Sequence, residues 1–235
     1  MFNLTEEEKA YVFSIINSKQ TKVSMSLIYD LFSLSEKRSP QKTLHEIARS
    51  FNKDLKSPYR NRLKMLGKKE DGKDLASLSQ GTFVKSLLNL ISKKPDEDLR
   101  MIKRGEVLKD YKDLPLRKYF IEDKDPVIYK ILLNCFRAIA HVFDEEWKNP
   151  EQYILSKTTG FGAIVKSFNE LYKIGDIKND LSEEFFIKCF QNFKNKLEQE
   201  NKKLTSEYFP SNEQTQSKLS KLIINSQELL GMTPS

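Results

Sequence analysis

The stretch Ile154–Phe168, ILSKTTGFGAIVKSF, sets a lysine, two threonines and two glycines ahead of an apolar helical run. Backbone N–H groups at a helix start hold anions, and glycine lets a backbone approach closely. Lys157, Thr158, Thr159 and Gly160 are therefore candidate anion ligands. The spacing excludes the standard nucleotide loop: G-x-x-x-x-G-K-[ST] is absent, the two glycines stand too close together, and Lys166 comes too late. The same residues have a packing reading. Gly160 and Gly162 would let their helix approach the helix that ends near Trp147, with Ala163, Ile164 and Phe168 as its buried face.

Other residues able to do chemistry are scattered. There is no G-x-S-x-G, no H-E-x-x-H and no kinase loop set. His45 and His141 read as surface or helix-end histidines. Glu145–Glu146 and Glu183–Glu184 read as helix-end and first-turn charges. Cys135 and Cys189 fall inside helical patterns, as reduced, buried thiols of a cytoplasmic protein do. Two cysteines and two histidines in 235 residues make no metal-ligand cluster. The expectation is a chain without a catalytic residue, metal or cofactor of its own.

The charge is more telling. The formal total is +7. Between Lys37 and Lys69, eleven Lys and Arg stand against only Glu46 and Asp54, a net of +9 for that segment. All of the positive excess therefore lies in one place, which favours a polyanion. Arg38, Lys42, Arg49 and Lys53 lead and line a helix whose opposite side carries Leu44, Ile47, Ala48 and Phe51. Arg60, Arg62 and Lys64 alternate and would share the face of a strand. These seven residues are the candidate DNA ligands, gripping backbone phosphates without reading sequence. Tyr59, among the arginines, is the one aromatic placed to stack on a base. Phe185, Phe186, Phe190 and Phe193 sit at helical spacing and read as core.

The elements that must position these residues are mostly helices. Thr5 and Glu8 form a capping-box pattern before a first helix. Further helices are expected from Ser24 to about Phe32, from Ser39-Pro40, from near Ser79, from Asp125-Pro126, from the KTTG stretch to about Tyr172, after Ser182, and over about Gln214–Leu230. In the Asp125 helix the apolar face reads Val127, Ile128, Ile131, Leu132, Cys135, Phe136, Ile139 and Val142. Arg62–Leu66 reads as a short strand, and GKKEDGKD as the turn of a hairpin. Pro95 to Pro115 reads as a long charged loop. Trp147 would plug a helix end. The fold expected is mainly α: one multi-helix domain over residues 1–235, with at most a small β-hairpin near 60–75. No apolar run reaches the roughly 20 residues a membrane span needs, and MFNLTEEEKAYVF has no signal-peptide pattern.

Taken in order, these motifs resemble the DGQHR-domain family, a ParB-like bacterial group that includes the regulator of DNA phosphorothioate modification. Phe13, Ile16, Asn17, Gln20 and Val23 fit its F-x-x-I-N-x-x-Q-x-x-V segment. RSPQKTLHEIARSFN is similar to its arginine-led helix, and SPYRNRLKML to its Ser-Pro-aromatic strand. FRAIAHVFDEEWKNPEQYILSKTTGFGAIVKSF is similar to its helix, tryptophan turn and Lys-Thr-Thr-Gly helix start. The likeness covers about Thr5–Phe168. It implies DNA-associated work in a modification or defence system. The Asp-Gly-Gln-His-Arg motif and its sheet, which precede the F-x-x-I-N segment in the family, do not occur here, so the family's enzymatic centre has no counterpart.

Three functional readings follow. The first is a non-catalytic DNA-binding or regulatory module. The second is an interaction module that completes a protein partner carrying the missing sheet. The third is a nucleotide-using enzyme, for which only KTTGFG speaks.

Overall fold

A computed structural model of the protein describes residues 24–65 and 77–227, together with Thr5, Glu8, Lys9 and Val12. The F-x-x-I-N segment, the GKKEDGKD turn, Lys68, Lys69 and the end of the expected last helix lie outside the described residues. At Thr5 the capping box forms: its N–H donates to Glu8 Oε2 at 2.9 Å, and Glu8 N–H donates back to Thr5 Oγ1 at 3.2 Å.

The fold is mainly helical, as the patterning requires. Among the described residues ten α-helices follow one another: α1 Met25–Leu31, α2 Pro40–Lys53, α3 Gln80–Leu88, α4 Pro95–Lys103, α5 Arg117–Ile121, α6 Asp125–Val142, α7 Asp144–Lys148, α8 Thr158–Ile177, α9 Glu183–Gln199 and α10 Glu213–Asn225. Side-chain oxygens cap five of them. Ser24, Ser39, Ser79, Ser182 and Asn212 each accept from the backbone N–H three residues on. The contacts group into two compact units, Met1–Asp54 with Tyr59–Asp125, and Leu55–Pro58 with Pro126–Ser235.

In the first unit, α2 starts with Pro40 at its first position and buries Leu44, Ile47, Ala48 and Phe51. Phe51, Tyr59 and Phe83 form a ring triangle with centroids 5.5–6.2 Å apart. The expected strand exists only as β1, Leu63–Lys64. Its partner is β2, Leu78–Ser79, in parallel register. Parallel strands need a crossover rather than a tight reversal, so this pair is not a hairpin. The expected 95–115 loop is also corrected, because its first nine residues, Pro95–Lys103, are helix α4. Pro95 is an initiator there and not a breaker. Asp96, Glu97 and Asp98 in the first turn and Arg100 and Lys103 in the last complement the helix dipole.

In the second unit, α6 buries Ile128, Ile131, Leu132, Cys135, Phe136, Ile139 and Val142, but Val127 is exposed at the helix start. α8 runs to Ile177, past the expected end at Tyr172. Its Phe161 stacks on Phe136 at 5.7 Å and its Phe168 on Phe186 at 6.1 Å. The four phenylalanines of α9 are all core. Trp147 is buried in α7 and donates from Nε1 to Pro58 O at 3.2 Å. Cys135 and Cys189 are unpaired buried thiols. Burial pushes Cys189 up to about 12 and Cys135 well above its ordinary value, so neither is a ready nucleophile. No helix among the described residues is long and apolar enough to cross a membrane.

Candidate nucleic-acid interface

The seven basic candidates all lie in the first unit, and the fold sorts them into two kinds. Arg38 faces inward. Its Nη1 donates to Phe120 O at 2.6 Å and pairs with Asp123 at 2.9 Å; its Nη2 pairs with Asp125, and its guanidinium lies 4.0 Å over the Phe120 ring. That guanidinium ties α2's approach to the end of α5 and is committed to these partners within the fold. Lys42 is drawn back in the same way, donating to Ser35 O.

The others stand further out. Arg49 meets Glu46 at 3.8 Å, one turn back on α2, with both side chains well solvated; such a pair contributes about 0–1 kcal/mol and exchanges readily. Lys53, at i+4 from Arg49, is exposed, as is Arg60. Lys64 is partly exposed. Lys53, Arg60 and Lys64 make no ion pair with any other described residue. Arg62 is half-buried beside Tyr59; burial lowers its guanidinium below the ordinary value and Tyr59 opposes that shift. Arg60 and Arg62 sit in the turn before β1 and not in a strand. They therefore do not share a strand face, and only Arg60 is fully presented.

Asn52 joins the two basic rows, and nothing in the charge pattern pointed to it. It is buried on α2 between Arg49 and Lys53. Its backbone carbonyl accepts from Asn61 N–H at 3.0 Å, and its Oδ1 accepts from Leu63 N–H at 3.1 Å. Asn61 takes the left-handed φ of 56° that asparagine tolerates. One residue of the helix thus holds the 61–63 backbone at its own side. The arginine turn is anchored beside Arg49 and Lys53 and is not left to swing. The signal was an asparagine inside a helix, where it is unfavourable unless its side chain has a partner.

Two sequence expectations fail here. Tyr59 does not stack on bases, because it is 1% exposed and belongs to the ring triangle with Phe51 and Phe83. His45 is not a surface residue, because it is 0% exposed. The Gln80 amide nitrogen faces its Nδ1 at 2.5 Å, which makes Nδ1 an acceptor and leaves the proton on Nε2. Burial lowers its pKa, and Arg49 adds to that; Glu46 and Asp30 pull the other way.

No family model, curated protein or solved structure matches this chain.

The second candidate site, at the start of α8, lies in the second unit. Gly160 does not face open space. A methyl group there would run into the Leu155 carbonyl and Cα and the Ile154 carbonyl, which belong to the chain just before the helix. At Gly162 a methyl would meet the Gln216 side chain of α10. The atoms nearest a methyl at these two glycines are therefore those of the 154–155 turn and of Gln216 on α10, not those of the helix that ends near Trp147. Thr159 Oγ1 lies 3.3 Å from Ser211 Oγ, Lys157 Nζ donates to Glu151 O at 3.3 Å, and Gln216 Nε2 donates to Thr158 O at 3.5 Å. Thr159 and Gly160 are buried. Of the four, Thr159 and Gly160 pack α8 on its surroundings, while Thr158 is exposed and Lys157 partly exposed. Among the described residues no group of three or more His, Cys, Asp or Glu is placed to hold a metal ion.

Proposed function

We propose that this protein is a non-catalytic DNA-associated module. It binds the sugar-phosphate backbone through Arg49, Lys53, Arg60 and Lys64, with Arg62 behind them. The observation that carries this reading is the Asn52 clamp, which fixes a basic turn beside a basic helix row. Holding the cations in place before binding lowers the ordering cost of association. A backbone contact fits the described residues of this surface: Tyr59 is core, and the cations reach outward from a helix side and a turn. The resemblance to the DGQHR-domain family supports placing such a module in a DNA-modification or defence system, as its regulator or DNA-holding part.

The test is a salt titration of binding to duplex DNA of arbitrary sequence. Four phosphate contacts give a slope of log K against log salt of roughly −3 to −4. Charge reversal at Arg49 and Arg60 together should flatten that slope by about two and weaken binding on every sequence alike. A slope near zero, or no binding at low salt, would sink the reading.

A further inference from the structure

A second basic feature of the first unit is concave. A cavity of about 330 Å³ is walled by Lys93, Lys94, Glu97, Asp98, Met101, Lys109, Tyr111 and Arg117. Its size falls at the lower end of small-molecule sites. Lys94, Glu97, Asp98 and Met101 recur at helical spacing along the start and one face of α4. The loop after α4 supplies Lys109 and Tyr111.

Arg117 ties this cavity together. It is 2% exposed and its ion pair with Asp98 is bidentate: Nη1 to Oδ2 at 2.8 Å and Nη2 to Oδ1 at 2.9 Å. Nη1 also donates to Ile91 O at 2.9 Å, and Nε donates to Lys109 O at 2.5 Å. Ser92 Oγ donates to Asp98 Oδ2 at 2.5 Å. Asp98 is thus matched by donors from two sides. Arg117 is not exhausted: a guanidinium has five N–H donors, four are placed, and the last Nη2 hydrogen has no acceptor among the described residues. Buried donors are normally satisfied, so a spare one in a cavity wall marks where an acceptor fits.

The remaining walls agree on the sign of that acceptor. Lys93 pairs with Asp113 at 2.6 Å and Lys94 with Glu97 at 3.0 Å, both in solvent-facing positions. Lys109 Nζ has no acidic partner among the described residues, while its backbone carbonyl is fixed by Arg117. The walls hold four cations against two carboxylates. Met101 and Tyr111 also line the cavity. The Arg117 guanidinium and Lys93 Nζ lie 5.0 Å and 5.2 Å from the Tyr111 ring centroid, so the ring holds these cations in place and its remaining surface, with Met101, is the cavity's apolar part.

We infer that this cavity binds a small phosphate monoester, the phosphate taken by Lys109 and the spare Arg117 donor, and the organic part lying against Met101 and Tyr111. The site is separate from the 49–64 surface and stands or falls independently of it.

The test is calorimetric titration of the full chain with adenosine 5′-monophosphate, ribose 5-phosphate, inorganic phosphate and adenosine. At least one ester should bind saturably, more tightly than inorganic phosphate, and adenosine should not bind. Lys109→Ala, at an exposed position, should weaken the ester about tenfold, the effect of losing one charge-assisted contact. It should leave both thermal stability and DNA affinity unchanged. Lys109→Arg should restore ester binding. No saturation by either ester up to about 10 mM overturns the proposal, as does unchanged affinity in Lys109→Ala. Equal binding of inorganic phosphate and esters overturns the role of Met101 and Tyr111. Reversal at Arg49 and Arg60 should leave ester binding intact, which separates a failure here from a failure of the DNA reading.

Discussion

The 49–64 surface and the start of α8 both look like phosphate grips as strings of letters, and the fold treats them in opposite ways. In the first, Lys53 and Arg60 point to solvent while one buried asparagine fixes the backbone beneath them. In the second, the glycines are filled space: the 154–155 turn and Gln216 occupy what a side chain would need. The difference teaches that basic residues and glycines predict differently. A long charged side chain on a helix side tends to remain outside, because burying its charge is costly without a partner. A glycine says only that something comes close, which is a ligand in one fold and the chain itself in another.

Gly160→Ala probes this contrast most strongly. A methyl group there meets backbone, which cannot rotate away, so the loss should be about 3 kcal/mol, near the top of the range for overpacking. Urea unfolding measures it. A neutral or stabilising result would mean the glycine is kept for a ligand after all. Asn52→Ala comes next. It leaves the buried Leu63 N–H without its acceptor, at a cost of about 1–3 kcal/mol. It should also weaken DNA binding although it removes no charge. Full DNA affinity in a folded Asn52→Ala protein would show that the two basic rows do not act together.

His45 gives the same unit a pH dependence. Its folded pKa is lowered by burial, so above the unfolded value of about 6.5 both states leave it neutral and it has no effect. Below that pH the unfolded chain takes up the proton first. Stability should then fall as pH drops toward and through the folded value. Glu46 and Asp30 soften the loss. Chemical denaturation at pH 7.5 and 5.5 should show the drop, and His45→Gln should remove that part of it.

Gly162→Ala should cost less than about 1 kcal/mol. The atom it meets is the end of a flexible Gln216 side chain, and alanine gains helix propensity over glycine. A loss as large as that at Gly160 would place Gln216 in a rigid contact. Smallest of all is the stability effect of reversing Arg49 and Arg60, within about 0.5 kcal/mol each. A large loss in melting temperature would show that these side chains hold the fold and are not presented to a polyanion.

Much of the architecture was legible. Ser24, Ser39, Ser79 and Ser182 cap helices where the pattern put them, because a short hydroxyl before an apolar periodic run has few better uses. Leu44, Ile47, Ala48 and Phe51 face inward on a 3.6-residue period. Less of the candidate site was legible. Arg38 has the same chemistry as Arg60, yet Asp123, Asp125 and Phe120 claim it from more than eighty residues away. Helix α4 was hidden behind Pro95, which starts a helix as readily as it ends one.

The sequence by itself determined that this chain is helical, that its apolar faces close over phenylalanine-rich cores, and that its positive excess lies within 37–69. These follow from local periodicity, capping and charge, which neighbours along the chain already express. Only the tertiary structure decided which cations are presented, that Asn52 ties the basic turn to its helix, that Tyr59 and His45 are inside, and that Arg117 is held over Asp98 in a cavity wall. Each of these depends on partners distant in sequence, and hydrogen bonds, ion pairs and close packing have a range of a few ångströms in space with no counterpart in spacing along the chain.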